Sequence, residues 1–194
     1  MGVEIPEPLR SLLSRRSIPA LQLREPAPSQ TEVDLAIDAA LSAPDHGALR
    51  PLRLVLIRGA ARERLSTLFV QRMEQRDPQT PPNKLDKARR MPLMAPLVIA
   101  VGARVMAPHK IPELEQLLAA GAGVMNLLNA FHAQGYGAIW LTGGNAYDRE
   151  IERALGFVEG ERCLGFVYVG SVGPQINAPP RRLERGGAVR DWDG

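Results

Sequence analysis

The segment Ala43–Pro51, APDHGALRP, separates two unlike patterns. Upstream, VDLAIDAALSA repeats apolar residues at helical spacing, with Val33, Leu35, Ile37, Ala40 and Leu41 as the apolar positions. Downstream, LRLVLIRGA (52–60) is a short apolar run bounded by Pro and Gly, which reads as a strand. Two prolines, a glycine, a histidine and an arginine fill the join. On its own this join justifies no more than a turn. Whether it also holds something depends on what the rest of the chain brings to it.

Working outward, Pro6 to Arg15 carries Leu9, Leu12 and Leu13 on one helical face, and Arg15-Arg16-Ser17 closes it. After the connector EPAPS, Thr31 is the expected N-cap of the second helix, with Glu32 and Asp34 favouring its N-terminus. Beyond the first strand, ARERLSTLFVQRMEQR is an amphipathic helix, DPQTPP a loop and NKLDKARRM a short basic helix. The run 96–102 is a second buried strand. Pro112 starts a long helix, ELEQLLAAGAGVMNLLNAFHAQ, in which Gly121 and Gly123 among alanines point to close approach by another helix. Residues 138–142 form a third strand, 148–155 a helix and 164–170 a fourth strand. Four strands and about six helices, without repeat or linker, predict one α+β domain over 1–194. Its segment 174–194, rich in Pro, Arg and Gly, is expected to be an extended tail that docks on a partner subunit.

Composition narrows the function. At 194 residues, 45% hydrophobic and 23% charged, the chain has the make-up of a soluble globular domain. The net charge of +3 comes from dispersed basic pairs, and aromatics are only 5%. A nucleic-acid surface clusters its cations and interleaves aromatics, so a small anionic ligand fits better than a polyanion. A single cysteine, Cys163, excludes an internal disulfide and a cysteine-built metal cluster. The first residues lack the apolar core of a secretory signal, and Pro6 stands where a myristoylation start needs Ser or Thr, so a cytoplasmic location is expected. From Gln116 to Tyr147 there is no charged residue, yet Asn126, Asn129, His132 and Gln134 recur and glycines interrupt. That reads as a buried core or interface, not a membrane span.

The common chemical signatures are absent: no GxGxxG after a strand, no GxxxxGK[ST], no HExxH and no GxSxG. His46, His109 and His132 lack ligand-like spacing, and no metal site is expected. Arg15-Arg16-Ser17 offers guanidinium forks and a hydroxyl suited to phosphate, although a basic pair at a helix C-terminus also serves the helix dipole. Lys84 and Lys87 read as a solvated face, and His109-Lys110 as a solvated loop.

The order of these pieces is more specific than any one of them. RRS near the start, PDH…P before the first strand, DKAR followed by AP and a buried strand, HKIPELEQ, AQGYGAIW and GFVYVG span nearly the whole chain. In this order the chain resembles the flavin-dependent nitroreductase family, in particular its short, YdjA-like NAD(P)H nitroreductases. The resemblance implies a central, mostly antiparallel sheet of four strands flanked by helices, to which a partner's tail can add a strand. It implies a homodimer with FMN at the subunit interface. The expected chemistry is ping-pong: NAD(P)H reduces the flavin, which then reduces an electron-poor small molecule such as a nitroaromatic or quinone. Alternatives within the same resemblance are a flavin-binding dimer without reductase turnover, and an offshoot doing other flavin chemistry such as dehydrogenation or dehalogenation.

Carried onto this sequence, the resemblance implies that Arg15, Arg16 and Ser17 contact the FMN phosphate, ribityl chain and pyrimidine edge. His46 is implied to reach the flavin from the second subunit; Ser42 and Arg50 are also expected to bind the cofactor, Arg50 making up for the charge that Leu141 lacks. Trp140, Leu141 and Thr142 match a later FMN segment, and Gly143 with Gly144 lets the backbone approach the ring. Arg181 or Arg182 matches a tail arginine on the phosphate, and residues 130–135 fall where relatives are given nicotinamide contacts. The resemblance also puts His109-Lys110 near the substrate mouth, and Lys84 and Lys87 at positions similar to ones that reach the flavin in larger relatives. Two departures are noted: Leu52 where relatives carry an aromatic after the proline, and Leu141 where close relatives carry arginine.

Overall fold

The computed structural model describes residues 4–174 and 186–192. Six α-helices and five strands follow in the order α1 (Glu7–Ser14), β1 (Leu23–Arg24), α2 (Gln30–Leu41), β2 (Leu52–Arg58), α3 (Ala60–Arg76), α4 (Pro82–Arg90), β3 (Leu97–Arg104), α5 (Glu113–Ala133), β4 (Gly137–Leu141), α6 (Arg149–Ala154) and β5 (Glu161–Val172). The sequence reading had four strands; β1 is the fifth. Two residues are too few to show a period, and only its pairing with Val172 and Ser171 of β5 makes it a strand. β5 is also longer than the apolar run 164–170, because Glu161 and Arg162 pair with the end of β3.

All pairings are antiparallel. β5 is the spine: β3 lies along one edge, and β4 and β1 lie end to end along the other, while β2 closes the far side of β3. β3 is buried along its whole length except Arg104, so both of its faces need apolar residues, and LVIAVGA supplies them.

Alternation then sorts the core. Val98, Ala100, Phe166 and Tyr168 face a layer made by Leu65, Phe69 and Val70 of α3 with Ala88 of α4 and Ile151 of α6. Leu97, Ile99, Val101, Val167 and Val169 face Val33, Ala36 and Ala40 of α2 and Val124, Leu127 and Phe131 of α5. Burying each such side chain is worth roughly 1.5–3 kcal/mol.

The N-cap of α2 stands two residues before the expected Thr31. Ser29 is the N-cap, its hydroxyl accepting from Glu32 N at 3.3 Å while the Glu32 carboxylate accepts from Ser29 N at 2.7 Å. This reciprocal pair satisfies two orphan donors, an arrangement Thr31 cannot make. The glycines of α5 divide in role. A Cβ on Gly123 would meet Ala40 O at 3.0 Å and Leu52 Cδ2 at 2.9 Å, so α2 and β2 do approach there; Gly121 faces open space. Asn126 pins the same contact by donating to Ala39 O at 3.1 Å.

No helix is long and apolar enough to cross a membrane, and no group of residues suited to a metal ion occurs, among the described residues.

Candidate cofactor site

Three groups of residues emerge. The first surrounds the end of α1. Arg15 caps that helix, its N–H donating to Ser11 O at 3.1 Å. Three residues on, Ile18 N–H donates to Ala138 O at 3.1 Å, tying the Arg15-Arg16-Ser17 segment to the start of β4. His132 of α5 stands beside it, 2.9 Å from Ser14 Oγ through Nε2. Burial, and then the charges of Arg15 and Arg16, hold the His132 pKa below its ordinary value. Two guanidinium charges thus act on one half-buried site at the C-terminal end of α5. Residues 130–135 form the last turn of that helix and its exit.

The second group is the opening segment. His46–Ala48 is a single 3-10 turn in which Gly47 and Ala48 have φ of 74° and 52°, and Arg50 follows at 50°. Ala48 and Arg50 therefore hold a left-handed conformation that costs a residue with a Cβ about 1–2 kcal/mol. What holds it is visible: Asp45 Oδ2 accepts the Arg50 N–H at 2.6 Å. Strain of this kind collects at binding sites. His46 Nδ1 lies 2.6 Å from Glu115 Oε2 on the first turn of α5, leaving the histidine largely exposed. Ser42 caps α2, and its hydroxyl donates to Ala39 O at 2.8 Å. Arg50 lines a groove of about 320 Å³ with Leu41, Pro51, Leu52 and Ala119.

The third group lies beyond β4. Trp140 turns to the α2/α5 side of the sheet and donates its indole N–H to Leu164 O at 3.1 Å. Leu141 turns the other way, half buried against the core. Thr142, Gly143 and Gly144 then line a cleft of about 500 Å³, walled by Phe69, Met73, Met91, Met94 and Phe166 and rimmed by Arg76, Lys84 and Lys87. Phe69 and Phe166 meet edge to face at 5.3 Å on its floor. A Cβ on Gly143 or Gly144 would meet nothing within 4 Å, so open space lies over this backbone.

The turn is fixed from below. Asp148, its side chain only 2% exposed, caps α6 and accepts from Arg72 Nε at 3.1 Å and from Arg76 Nη1. Arg76 Nη2 also donates to Asn145 Oδ1 at 2.6 Å. Burial works to raise the Asp148 pKa, but the bonds from Arg72, Ile151 N and Glu150 N win and hold it below the usual carboxylate range.

The sequence reading brought Leu141 to Gly144 together and missed Arg76 and the methionine walls. No local signal marks Arg76, since its partners lie far along the chain. Arg181 and Arg182 lie outside the described residues. His46 and Arg15-Arg16 do not meet within one chain: their partners Glu115 and His132 stand seventeen residues apart on α5, about 25 Å along its axis.

Comparison with known proteins agrees with this architecture. The Nitroreductase family model matches residues 12–171, and the chain belongs to that family. It is 36% identical over 170 residues to the "Putative NAD(P)H nitroreductase YdjA" of Escherichia coli K12, covering 88% of this chain and 90% of the relative. A nitroreductase-named protein of Haemophilus influenzae is 31% identical over 151 residues, covering 77% and 81%. Among solved structures, the nitroreductase-like family protein of Bacillus cereus superposes with a TM-score of 0.79 at 19% identity, over 100% of both chains. A nitroreductase from Desulfovibrio desulfuricans, solved with FMN, gives 0.71 at 22% identity, over 93% and 94%.

Proposed function

We infer that the chain is an FMN-dependent oxidoreductase that works as a homodimer, taking electrons from NAD(P)H and giving them to an electron-poor small molecule. Membership of the family supports the class, and the open space over Gly143 and Gly144 in the cleft beyond β4 carries the cofactor assignment. A planar ring comes closest to backbone where no Cβ stands. The residues fit such a group: apolar walls for its faces, and guanidinium charges at Arg15-Arg16 for its phosphate.

When bound, FMN supplies hydride transfer in both half-reactions. The chain's own residues do the rest. Arg15 and Arg16 neutralise anionic charge, with Ser17 adding a hydroxyl. Thr142, Gly143 and Gly144 set the height of the ring, and the Arg76–Asp148 pair keeps that turn from moving. Phe69, Met73 and Met94 exclude water from the inner wall, which strengthens every charge interaction at the rim. Arg181 or Arg182, in the tail of the single domain, adds a further cation toward the phosphate.

The separation along α5 is the reason for two copies. Arg15-Arg16 and His46 sit at opposite ends of that helix, so one flavin meets both only if His46, with Ser42 and Arg50, comes from the partner. Exposed apolar residues run in a stripe along α5 at Leu114, Leu118 and Met125, and along α1 at Leu9, Leu12 and Leu13. A second copy gives this surface its cover. The lone, buried Cys163 suits a cytoplasmic setting.

Purified protein should be yellow and release FMN on denaturation, and NADH or NADPH should bleach it without oxygen. Colourless protein that takes up no added FMN would sink this reading. Flavin that neither nucleotide bleaches would leave a binding protein without turnover.

A further inference from the structure

The chain pairs most of the cations that surround its other cavities. At the opposite end of the sheet, Arg149 meets Glu152 at 2.8 Å, Arg162 meets Glu113 at 2.8 Å, and Arg53 meets Glu161. The clefts there are lined by these same mixed charges. The cleft beyond β4 differs. No aspartate or glutamate lines it, and Lys84 and Lys87, one turn apart on α4, have no carboxylate partner among the described residues. Arg76 is the third cation at its rim, already held in place by Asp148 and Asn145. Behind these charges the wall is aromatic and thioether.

Such a recess suits a planar apolar body carrying one anionic substituent. The strong anion of FMN is its phosphate, which the reading above gives to Arg15-Arg16 at the other end of β4, about 13 Å away at 3.3 Å per residue. Lys84 and Lys87 are then left for the second reactant. We propose that the electron acceptor is an electron-poor aromatic carboxylate, its ring against Met91 at the mouth of the cleft and its carboxylate on Lys84 and Lys87. The proposal rests on the flavin reading for turnover, but not for binding.

Two measurements separate the two ideas. The first is steady-state turnover of the holoenzyme with 4-nitrobenzoate and 4-nitrobenzamide, a charged and a neutral acceptor. The ratio of their kcat/KM values should fall about tenfold in Lys84→Met/Lys87→Met, and should fall in the wild type as salt rises. The second is calorimetric binding of benzoate against benzamide, neither of which can be reduced. Wild type should prefer benzoate, and the double variant should lose that preference. Both lysines are exposed on α4, so their loss spares the core. An unchanged ratio with unchanged benzoate preference overturns the proposal, as does loss of FMN from the double variant, which would give the lysines to the flavin. If benzoate preference tracks the lysines while NAD(P)H fails to bleach, the anion site stands and the reductase reading falls.

Discussion

Trp140 reaches along β5 to place its indole N–H 3.1 Å from the carbonyl of Leu164, passing close to Gly165. A Cβ on Gly165 would stand 2.6 Å from Trp140 Nε1 and 2.6 Å from Leu141 O, and the residue holds φ at +133°. Gly165→Ala should therefore cost about 2–4 kcal/mol, from overpacking and backbone strain together. Urea unfolding measures the loss. In a Trp192→Phe background, which removes the other, exposed indole, the emission of Trp140 should also shift.

The acid limb of stability should follow Asp148. Its folded pKa lies below the ordinary value, so the unfolded chain binds more protons as pH falls through about 4. The stabilisation is full above that point and is lost below it; Glu161, held low by Arg53 against its burial, adds in the same direction. Asp148→Asn should lose about 3 kcal/mol at pH 7, since Arg72 and Arg76 are left facing a neutral amide. The gap to wild type should narrow as pH drops toward 3. Melting temperatures across pH 3–7 test this.

Arg16→Ala should weaken FMN retention at least tenfold, the usual effect of losing a charge-assisted bond. Unchanged occupancy would refute the phosphate assignment. Independently of flavin, the same substitution should raise the His132 pKa, because it removes one of the two nearby positive charges. Proton NMR titration of the three histidines reads this directly.

Arg50→Gly should separate strain from binding. Glycine accepts φ near 50° without penalty, so the flavin-free protein should gain about 1 kcal/mol. The same change removes a cation proposed to face the partner's flavin, and FMN should then bind several-fold more weakly. A rise in urea midpoint alongside a fall in FMN affinity is the expected pair of results.

Cys163 should be inert in the native state. It is buried, and burial pushes its thiol pKa up to about 11. A thiol reagent at pH 8 should label it only at the rate of unfolding, making it a probe of opening.

How much of this was legible beforehand varied with range. The helices and the four longer strands follow from periodicity, because each buries a face whose pattern is local. β1 did not, since two residues acquire their meaning only from β5. The capping of α2 was read two residues late, at Thr31, because only Glu32 reaching back to Ser29 decides the cap. The glycine turn after β4 was readable as a motif. Arg76 was not, because the carboxylate that fixes it stands on another element, after β4. The separation of His46 from Arg15-Arg16 is likewise a matter of helix length, visible only once both were tied to α5.

The placement of β5 has a consequence for synthesis. Among the described residues it is the last strand, yet β1, β3 and β4 all pair with it. Until residues 161–172 leave the ribosome, β2 with β3 is, of the ladders among the described residues, the one the nascent chain can complete. The apolar edge of β3 and the inner faces of α2, α3 and α5 must wait, uncovered, for the spine to arrive. Folding of this protein is accordingly completed after most of it has been made, with long-range contacts formed late and the waiting edge open to mispairing. Truncation before Glu161 should yield an aggregating chain, where the complete one yields a folded sheet.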